Sequence, residues 1–215
     1  MASLDDIRAS RLEKLQALQN AGQTAFPISA NPDYTLAEVV DQYSKLEVKF
    51  SAESKKNLSL AGRVLSLRPQ GAIFFFTFDD GTGKFQGFIK KDEHISDADF
   101  DLWSTAVDIG DFVEVSGHLF TTARGEKTIQ VQFWKMLAKS LRPLPEKWHG
   151  LQDTEERFRR RYLDTIATPA VKERFITRSK IVSELRNQLN KAGFLEVETP
   201  MLQPQAGGAS ALPFT

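Results

Sequence analysis

The chain has 215 residues, of which 41% are hydrophobic, 26% are charged and 16 are phenylalanine, a balance typical of a globular protein with a substantial core. It contains no cysteine, which excludes disulfide scaffolds, thiolate zinc sites and cysteine nucleophiles, and its three histidines are too scattered to suggest metal ligation. Because 28 basic residues balance 28 acidic ones, a general positive field for nucleic-acid binding is also excluded.

The N-terminal segment, residues 1–55, is predicted to be a helical extension. The chain begins with acidic residues, and no apolar run approaches the roughly 20 residues that span a bilayer, so we expect a soluble, cytoplasmic protein without a membrane partner. Apolar residues recur at helical spacing over 5–20, which predicts a helix that ends before Gly22, and a second helix is expected over 36–47. The two helices are expected to cover the domain that follows.

A change to a two-residue apolar period marks residues 56–140 as a separate β domain. The pattern predicts five strands and, before the fourth of them, a helix over 97–107. The strands are expected at residues 58–68, 73–79, 84–90, 110–121 and 127–137. Five short strands with a helix between the third and the fourth are the layout of the OB-fold barrel, and another small barrel is the alternative.

Alternation along the second and third strands separates an apolar face from a polar face. The phenylalanines at the even positions of residues 74–78 share one face, which we assign to the core. Phe75 therefore lies on the opposite face, and Gln86 lies on the polar face of the neighbouring strand. Arg68 ends the first strand beside them.

An exposed aromatic ring between an arginine and a glutamine suits recognition of an unpaired base. The ring stacks on the face of the base, while the two polar groups hydrogen-bond to its edge. Alternatively, Phe75 packs beneath the N-terminal helix and has only a structural role, and the residues alone leave both interpretations open. A generic single-strand binder is disfavoured, because residues 58–140 carry nine basic and eleven acidic side chains.

Residues 141–150 are predicted to form a stiff, proline-containing linker, and residues 151–215 to form the start of an incomplete α+β domain. The pattern predicts helices at 153–162 and 168–191 and a short strand at 196–198. The apolar stripe of the second helix has no partner inside the chain. We therefore expect exposed apolar surface and a tendency to self-associate in this segment.

Two runs in this part of the chain are distinctive. Leu-Arg-Pro-Leu-Pro-Glu-Lys-Trp-His-Gly-Leu-Gln-Asp at 141–153, followed by Arg-Arg-Tyr-Leu-Asp at 160–164, is similar to the inter-domain signature of class II lysyl-tRNA synthetases. Lys-Ala-Gly-Phe-Leu-Glu-Val-Glu-Thr-Pro-Met-Leu at 191–202 resembles motif 1 of class II synthetases. The chain thus resembles the N-terminal part of that family over essentially its whole length. Aspartyl and asparaginyl enzymes share the barrel and motif 1, but the Leu-Arg-Pro-Leu-Pro run favours lysine.

The resemblance implies that the OB-fold barrel binds the anticodon of tRNA(Lys). The family pattern places an arginine, a phenylalanine seven residues later and a glutamine eleven residues after that, which Arg68, Phe75 and Gln86 match. By resemblance, Phe75 stacks on an anticodon base while Arg68 and Gln86 read the central uridine. Glu126, in the last hairpin turn, matches an acidic residue that contacts a flanking base.

The resemblance also assigns roles to the end of the chain. Motif 1 is mainly a dimer element, which implies a homodimer with Phe194 and Pro200 at its interface. Gly207 and Gly208 match a loop that lines the lysine pocket, although Ala206 replaces the proline that usually precedes the glycine pair. The expected fold is therefore an OB-fold barrel with N-terminal helices, followed by the truncated start of a class II catalytic domain.

The activity implied by the resemblance is that of an ATP-dependent lysine–tRNA ligase, which uses L-lysine, ATP and Mg²⁺ in protein biosynthesis. The arginines of motifs 2 and 3 that clamp the ATP phosphates have no match before Thr215. We therefore expect no catalytic residue and no metal ligand in this chain, and no lysine activation by the 215 residues alone. The alternative is a non-catalytic RNA- or protein-binding module derived from a synthetase fragment.

Overall fold

The computed structural model describes residues 3–54, 56–91, 95–145 and 150–201. The chain divides into two compact units, residues 1–144 and residues 145–215. The described part of the first unit contains the strands and four α-helices, and the described part of the second is helical. No helix among the described residues is both long enough and apolar enough to cross a membrane.

The five strands of the first unit form a closed barrel in the order β1-β2-β3-β5-β4. Their bounds are β1 Leu58–Gln70, β2 Ile73–Asp79, β3 Lys84–Lys90, β4 Phe112–Thr121 and β5 Lys127–Ala138. Neighbouring strands are antiparallel except β3 and β5, which pair in parallel. The five strands, with helix α4 (Asp97–Ala106) between the third and the fourth, confirm the predicted OB-fold layout.

The alternation predicted for β2 and β3 is confirmed by the burial of their side chains. Phe76 and Phe78 are fully buried and Phe74 is 8% exposed, while Phe85 and Ile89 of β3 face the same interior. Large rings at alternating positions of one strand leave the intervening side chains on the outside of the barrel. The core of the barrel is therefore largely aromatic.

Helix α4 supplies a further part of this core. The ring centroid of Trp103 lies 4.8 Å from that of Phe76 and 5.1 Å from that of Trp134, both within the usual range of packed aromatic pairs. Gly87 on β3 provides the space for Phe76, because a Cβ atom at this position would lie 2.0 Å from the ring. The core thus requires a glycine directly between two outward-facing positions of β3.

A β-bulge at Leu65 interrupts β1, between Val64 and Ser66 in its pairing with β2. Before the bulge the even-numbered side chains of β1 face the core, and a regular strand would continue this pattern through Arg68. The extra residue reverses the alternation, and Arg68 instead lies opposite Phe75. The bulge therefore places the arginine on the outside of the barrel.

Three helices precede the barrel, α1 Leu4–Asn20, α2 Leu36–Asp41 and α3 Tyr43–Lys49, followed by a 3₁₀ turn at Ala52–Ser54. The prediction of a single helix over 36–47 is wrong, because the backbone turns at Gln42, with φ −98° and ψ 16°, between α2 and α3. The change of direction allows both short helices to bury apolar side chains in the core that they share with the barrel. These side chains are Leu36, Val39, Tyr43 and Leu46.

The turn between β2 and β3 holds the N-terminus of α2. The Asp80 carboxylate accepts hydrogen bonds from the backbone N–H groups of Leu36 at 2.8 Å, Thr82 at 2.8 Å and Gly83 at 3.1 Å. The Thr82 hydroxyl accepts a further bond from the Ala37 N–H at 3.2 Å. Burial alone would raise the pKa of Asp80, but the donors outweigh it and hold this pKa below its ordinary value. The carboxylate therefore fixes α2 against the hairpin.

A buried ionic cluster joins α1 to the loop before β4 and to the end of β5. The Lys139 side chain is fully buried, and its Nζ atom lies 2.6 Å from the Asp108 carboxylate and 2.7 Å from that of Asp111. From α1, Lys14 pairs with Asp108 at 2.6 Å, and Arg11 donates to three nearby backbone carbonyls. Because a buried charge is costly without a partner, the members of this cluster depend on one another.

The second unit contains α5 Thr154–Arg159, α6 Arg161–Ala167 and α7 Pro169–Lys191. The single helix predicted over 153–162 is interrupted at Arg160. The Asp164 carboxylate is fully buried there and pairs with Arg157 at 3.1 Å and with Arg161 at 3.0 Å. The change of direction between α5 and α6 brings both arginines to this single carboxylate.

The strand predicted at 196–198 is wrong, since residues 194–200 contain no strand. A strand needs a neighbour that satisfies its backbone hydrogen bonds, and the described residues of this unit supply none. The predicted exposure of the apolar stripe on α7 is confirmed except at Val171, at the start of the helix, which is buried. Its exposed members are Phe175, Val182, Leu185 and Leu189.

Replacement of Lys139 by methionine is expected to lower the free energy of unfolding of the first unit by about 3–5 kcal/mol, because the fully buried Asp111 carboxylate loses its cation. Urea denaturation followed by the fluorescence of the buried Trp103 and Trp134 measures the loss. The matched control is Lys91→Met, since Lys91 forms exposed ion pairs and its removal should cost less than about 1 kcal/mol. Equal losses in the two variants would contradict a special role for the buried cluster.

Replacement of Asp80 by asparagine is expected to destabilise the first unit by about 1 kcal/mol near neutral pH, because an amide cannot accept all the bonds of the carboxylate. Folding lowers the pKa of Asp80 below its value in the unfolded chain, which is near 4. The contribution of the Asp80 carboxylate to the free energy of unfolding is therefore fully present above the unfolded pKa, and it is lost as the pH falls through the lower folded pKa. The difference between the urea midpoints of wild type and variant should therefore shrink from about pH 6 to about pH 2. Asp41→Asn, at the exposed end of α2, should show neither effect, and a difference that does not change with pH would count against this assignment.

Candidate nucleic-acid interface

Phe75 lies on the outside of the barrel and is half-buried. Its ring centroid is 4.9 Å from that of Phe88, its direct neighbour on β3, so one aromatic side chain supports the other. Phe75 also lines an open groove, to which Val40 of α2 contributes from the facing side. A ring that lines a groove is available to a ligand. This position agrees with the interpretation that Phe75 stacks on an unpaired base, rather than with a purely structural role.

Arg68 and Gln86 meet across β2. They lie on the two strands that flank β2, so two strand spacings of roughly 5 Å each separate their backbones. The guanidinium bridges this distance, and Nη2 of Arg68 donates a hydrogen bond to Oε1 of Gln86 at 3.2 Å. Because Phe75 is the cross-strand neighbour of Arg68, the structure brings the three side chains together on one face.

Glu126 reaches the same face through the turn between β4 and β5. The turn is closed by two hydrogen bonds of 3.0 Å, from the Thr122 N–H to the Glu126 carbonyl and from the Glu126 N–H to the Thr122 hydroxyl. Nε2 of Gln86 donates to the Thr128 hydroxyl at 2.9 Å, and this hydroxyl donates to the Glu126 carbonyl at 3.1 Å. A continuous chain of hydrogen bonds therefore connects the carboxamide on β3 with the turn.

The groove lined by these four side chains has a volume of about 1000 Å³. Ligand pockets in proteins span roughly 300–1,000 Å³, so this groove is large enough for more than a single base. It is partly enclosed, and its floor is the outer face of the barrel between β1 and β5. A partly enclosed groove of this volume suits an extended ligand better than a small molecule sealed in a cavity.

The charge of the groove differs from that of the barrel as a whole. Its lining includes four basic residues, Arg68, Lys84, Arg124 and Lys127, and a single acidic residue, Glu126. Lys127 donates to the Val40 carbonyl of α2 at 3.1 Å and thereby joins β5 to α2. Neither Lys84 nor Arg124 forms an ion pair with another described residue, so both are available to a phosphate group.

Lys84, Arg124 and Thr128 were not among the site residues predicted from the sequence. Alternation placed Lys84 on the face of Gln86, and that signal could have identified it. No local signal identifies Thr128, because it is fully buried and its contact with Gln86 arises from the parallel pairing of β3 with β5. Long-range pairing of this kind is not encoded in a local pattern.

The other predicted site residues belong to the second unit. Phe194 is 66% exposed, and Pro200 is also exposed. Gly207 and Gly208 lie outside the described residues. Within the described ranges no cluster of three or more histidine, aspartate or glutamate side chains could hold a metal ion.

Comparison with known families divides the chain into two matching segments. Residues 58–137, which include all four predicted groove residues, match the model of the OB-fold nucleic acid binding domain. Residues 153–215 match the model of the class II tRNA synthetases (D, K and N).

Individual relatives match almost the entire chain. It is 42% identical over 208 residues to a lysine–tRNA ligase of Dehalococcoides mccartyi (strain CBDB1), which covers 97% of this chain and 41% of that protein. It is 42% identical over 213 residues to a lysine–tRNA ligase of Synechococcus sp. (strain CC9902), covering 98% and 42%. A lysine–tRNA ligase of Staphylococcus epidermidis is 43% identical over 214 residues, covering 98% and 43%. The chain thus spans about two fifths of the length of the curated relatives that it matches.

Proposed function

This chain belongs to the lysine–tRNA ligase family of class II tRNA synthetases, and from that membership we propose that its barrel binds the anticodon of tRNA(Lys). The observation that carries the proposal is the groove in which Arg68, Phe75, Gln86 and Glu126 lie together. Two independent arguments support it. The alternation of β2 and β3 places Phe75 and Gln86 on the outer face without reference to any relative, and the family pattern selects the same two positions together with Arg68 and Glu126.

The chemistry of the groove fits an unpaired base. The half-buried ring of Phe75 offers a surface for stacking, which is worth about 1–3 kcal/mol per base. Arg68 supplies only donors, whereas the carboxamide of Gln86 supplies both a donor and an acceptor. Uracil presents carbonyl oxygens beside an N–H group, so these two side chains together match its edge. Unpaired loop bases are the usual target of such sequence-specific reading.

The remaining groove residues fit the nucleotides on either side. Glu126 lies on the turn beside Gln86, in reach of a flanking base. Its carboxylate can only accept hydrogen bonds, so it would pair with an N–H group of that base. Lys84 and Arg124 are suited to backbone phosphates, which attract cations irrespective of sequence. The groove therefore combines base-specific and phosphate contacts, as a specific nucleic-acid interface requires.

The second unit is proposed to be the start of the catalytic domain of a homodimeric ligase. The exposed apolar stripe of α7, together with exposed Phe194 and Pro200, would then face a second copy of the chain. By family resemblance, Gly207 and Gly208 would line the pocket for L-lysine. Activation of lysine with ATP and Mg²⁺ would be the activity of the whole enzyme, and we assign no step of it to the described residues.

Phe75→Ala is expected to weaken binding of an RNA stem-loop that carries the anticodon UUU by about 1–3 kcal/mol, because the variant loses the stacking surface. Fluorescence anisotropy with the 215-residue chain measures the dissociation constant. The matched control is Phe133→Ala on β5, because Phe133 is 59% exposed and does not line the groove. An unchanged dissociation constant for Phe75→Ala would refute the proposed site. Equal binding of a stem-loop with a scrambled triplet would instead favour an RNA-binding module without anticodon specificity.

Lys84→Gln is expected to weaken binding by a similar factor for every triplet, because a phosphate contact carries no sequence information. The slope of the logarithm of the binding constant against the logarithm of the salt concentration should decrease in magnitude by about 0.7, the value for one contact with a single strand. Lys45→Gln on α3, an exposed lysine outside the groove, is the control and should leave the slope unchanged. A loss that depends on the triplet would show that Lys84 contacts a base instead.

A further inference from the structure

The carboxamide of Gln86 is held at both of its ends. Its Oε1 atom faces the guanidinium of Arg68 at 3.2 Å, and its Nε2 atom faces the hydroxyl of Thr128 at 2.9 Å. An arginine is a donor only, so the amide atom beside it must be the oxygen. The hydrogen of the Thr128 hydroxyl is directed to the Glu126 carbonyl at 3.1 Å, so this hydroxyl meets the amide as an acceptor. Both neighbours therefore dictate the same orientation of the amide.

Thr128 is held in place by its strand and is shielded from solvent. Its side chain is fully buried, and its backbone pairs directly with that of Gln86 in the parallel ladder between β3 and β5. The Glu126 carbonyl that accepts the hydrogen bond of this hydroxyl also accepts one from the Thr122 N–H at 3.0 Å, which fixes its position. A ligand in the groove cannot touch Thr128, so any effect of this residue on binding passes through Gln86.

The fixed orientation decides which base edge Gln86 can match. After the two bonds to its neighbours, the amide retains one N–H and one oxygen lone pair that face the groove side by side. Uracil offers a carbonyl oxygen beside an N–H group, which is the complement of this pair. Cytosine offers an amino group beside an unprotonated nitrogen, which is the reverse arrangement. For a base stacked on Phe75 in one orientation, a freely rotating glutamine would match either pyrimidine by turning over, whereas an amide held at both ends matches uracil only.

We propose that Thr128 is a positioning residue that makes the groove select uracil over cytosine by holding the carboxamide of Gln86 in one orientation. The proposal rests on the proposed anticodon-binding function and adds the origin of its specificity. Arg68 contributes to the same orientation from an exposed position, where solvent competes with its bond. Thr128 contributes from a fully buried position, where its hydroxyl has no such competitor. The buried partner is therefore the stronger constraint.

The experiment compares binding of two stem-loops, with the triplets UUU and UCU, by the wild-type chain and by Thr128→Val. Valine keeps the branched shape of threonine but neither donates nor accepts, so the amide is then oriented only by its solvent-exposed bond to Arg68 and turns over more readily. The ratio of the dissociation constants for UCU and UUU should fall by roughly tenfold in the variant, within the discrimination expected of a bidentate contact. Thr128→Ser retains the hydroxyl and should restore the wild-type ratio. Thermal unfolding of each variant establishes that the barrel is intact.

A matched control is available outside the groove. The hydroxyl of Thr105 on α4 donates a hydrogen bond to the Asp101 carbonyl at 2.8 Å, and this exposed residue does not line the groove. Thr105→Val should therefore leave the ratio of the two dissociation constants unchanged.

The outcomes separate this inference from the function on which it rests. A wild-type chain that binds both stem-loops equally would contradict the proposed function, and the role of Thr128 with it. A wild-type preference for UUU that Thr128→Val retains in full would overturn only the role of Thr128. Equal weakening of both complexes in the variant, with an unchanged ratio, would assign Thr128 a structural role and would also overturn the proposal.

Discussion

The packing of alternate phenylalanines of β2 into the barrel is the constraint on which the rest of the structure depends. Each buried ring at positions 74, 76 and 78 contributes roughly 1.5–3 kcal/mol, so a slip of one residue would cost several times the stability that Phe75 could provide in the core. The register of β2 is therefore fixed by its inner face. Phe75 is held outside as a consequence, and the same packing that stabilises the barrel presents the ring to the groove.

The sequence predicts the features that depend on local periodicity and misses those that depend on distant partners. The five strands and the opposite faces of Phe75 and its neighbours follow from a two-residue period, which each strand carries within itself. The bulge at Leu65 does not, because it is defined only by the pairing of β1 with β2. For the same reason the contact between Thr128 and Gln86 was missed, since it needs the parallel pairing of β3 with β5. Residues 196–198 had the composition of a strand, but the described residues of the second unit include no strand to pair with them.

Net charge was a poor guide to the groove because the acidic residues of the barrel are engaged elsewhere. Asp80 accepts hydrogen bonds at the N-terminus of α2, and Asp97 at the start of α4 forms a surface ion pair with Lys91. Asp108 and Asp111 neutralise the buried Lys139. Glu114 pairs with Lys135 at 3.0 Å on another part of the barrel. Lys84 and Arg124 have no such partners among the described residues, so their charge acts in the groove. A segment of negative net charge therefore presents a positive surface where its basic side chains are left unpaired.

The groove also differs in rigidity from one end to the other, and this difference bears on how a triplet would be read. Phe75 and Gln86 lie on strands whose inner faces are packed, and Asp80 and Lys127 hold the facing wall formed by α2. Groups held in place before binding lose little conformational entropy when they bind. Arg124 and Glu126 instead extend from the turn between β4 and β5, and neither side chain makes a hydrogen bond or an ion pair with another described residue. In the proposed function, the central base would therefore meet a rigid surface that selects by fit, while the flanking nucleotides would meet side chains that adjust to them.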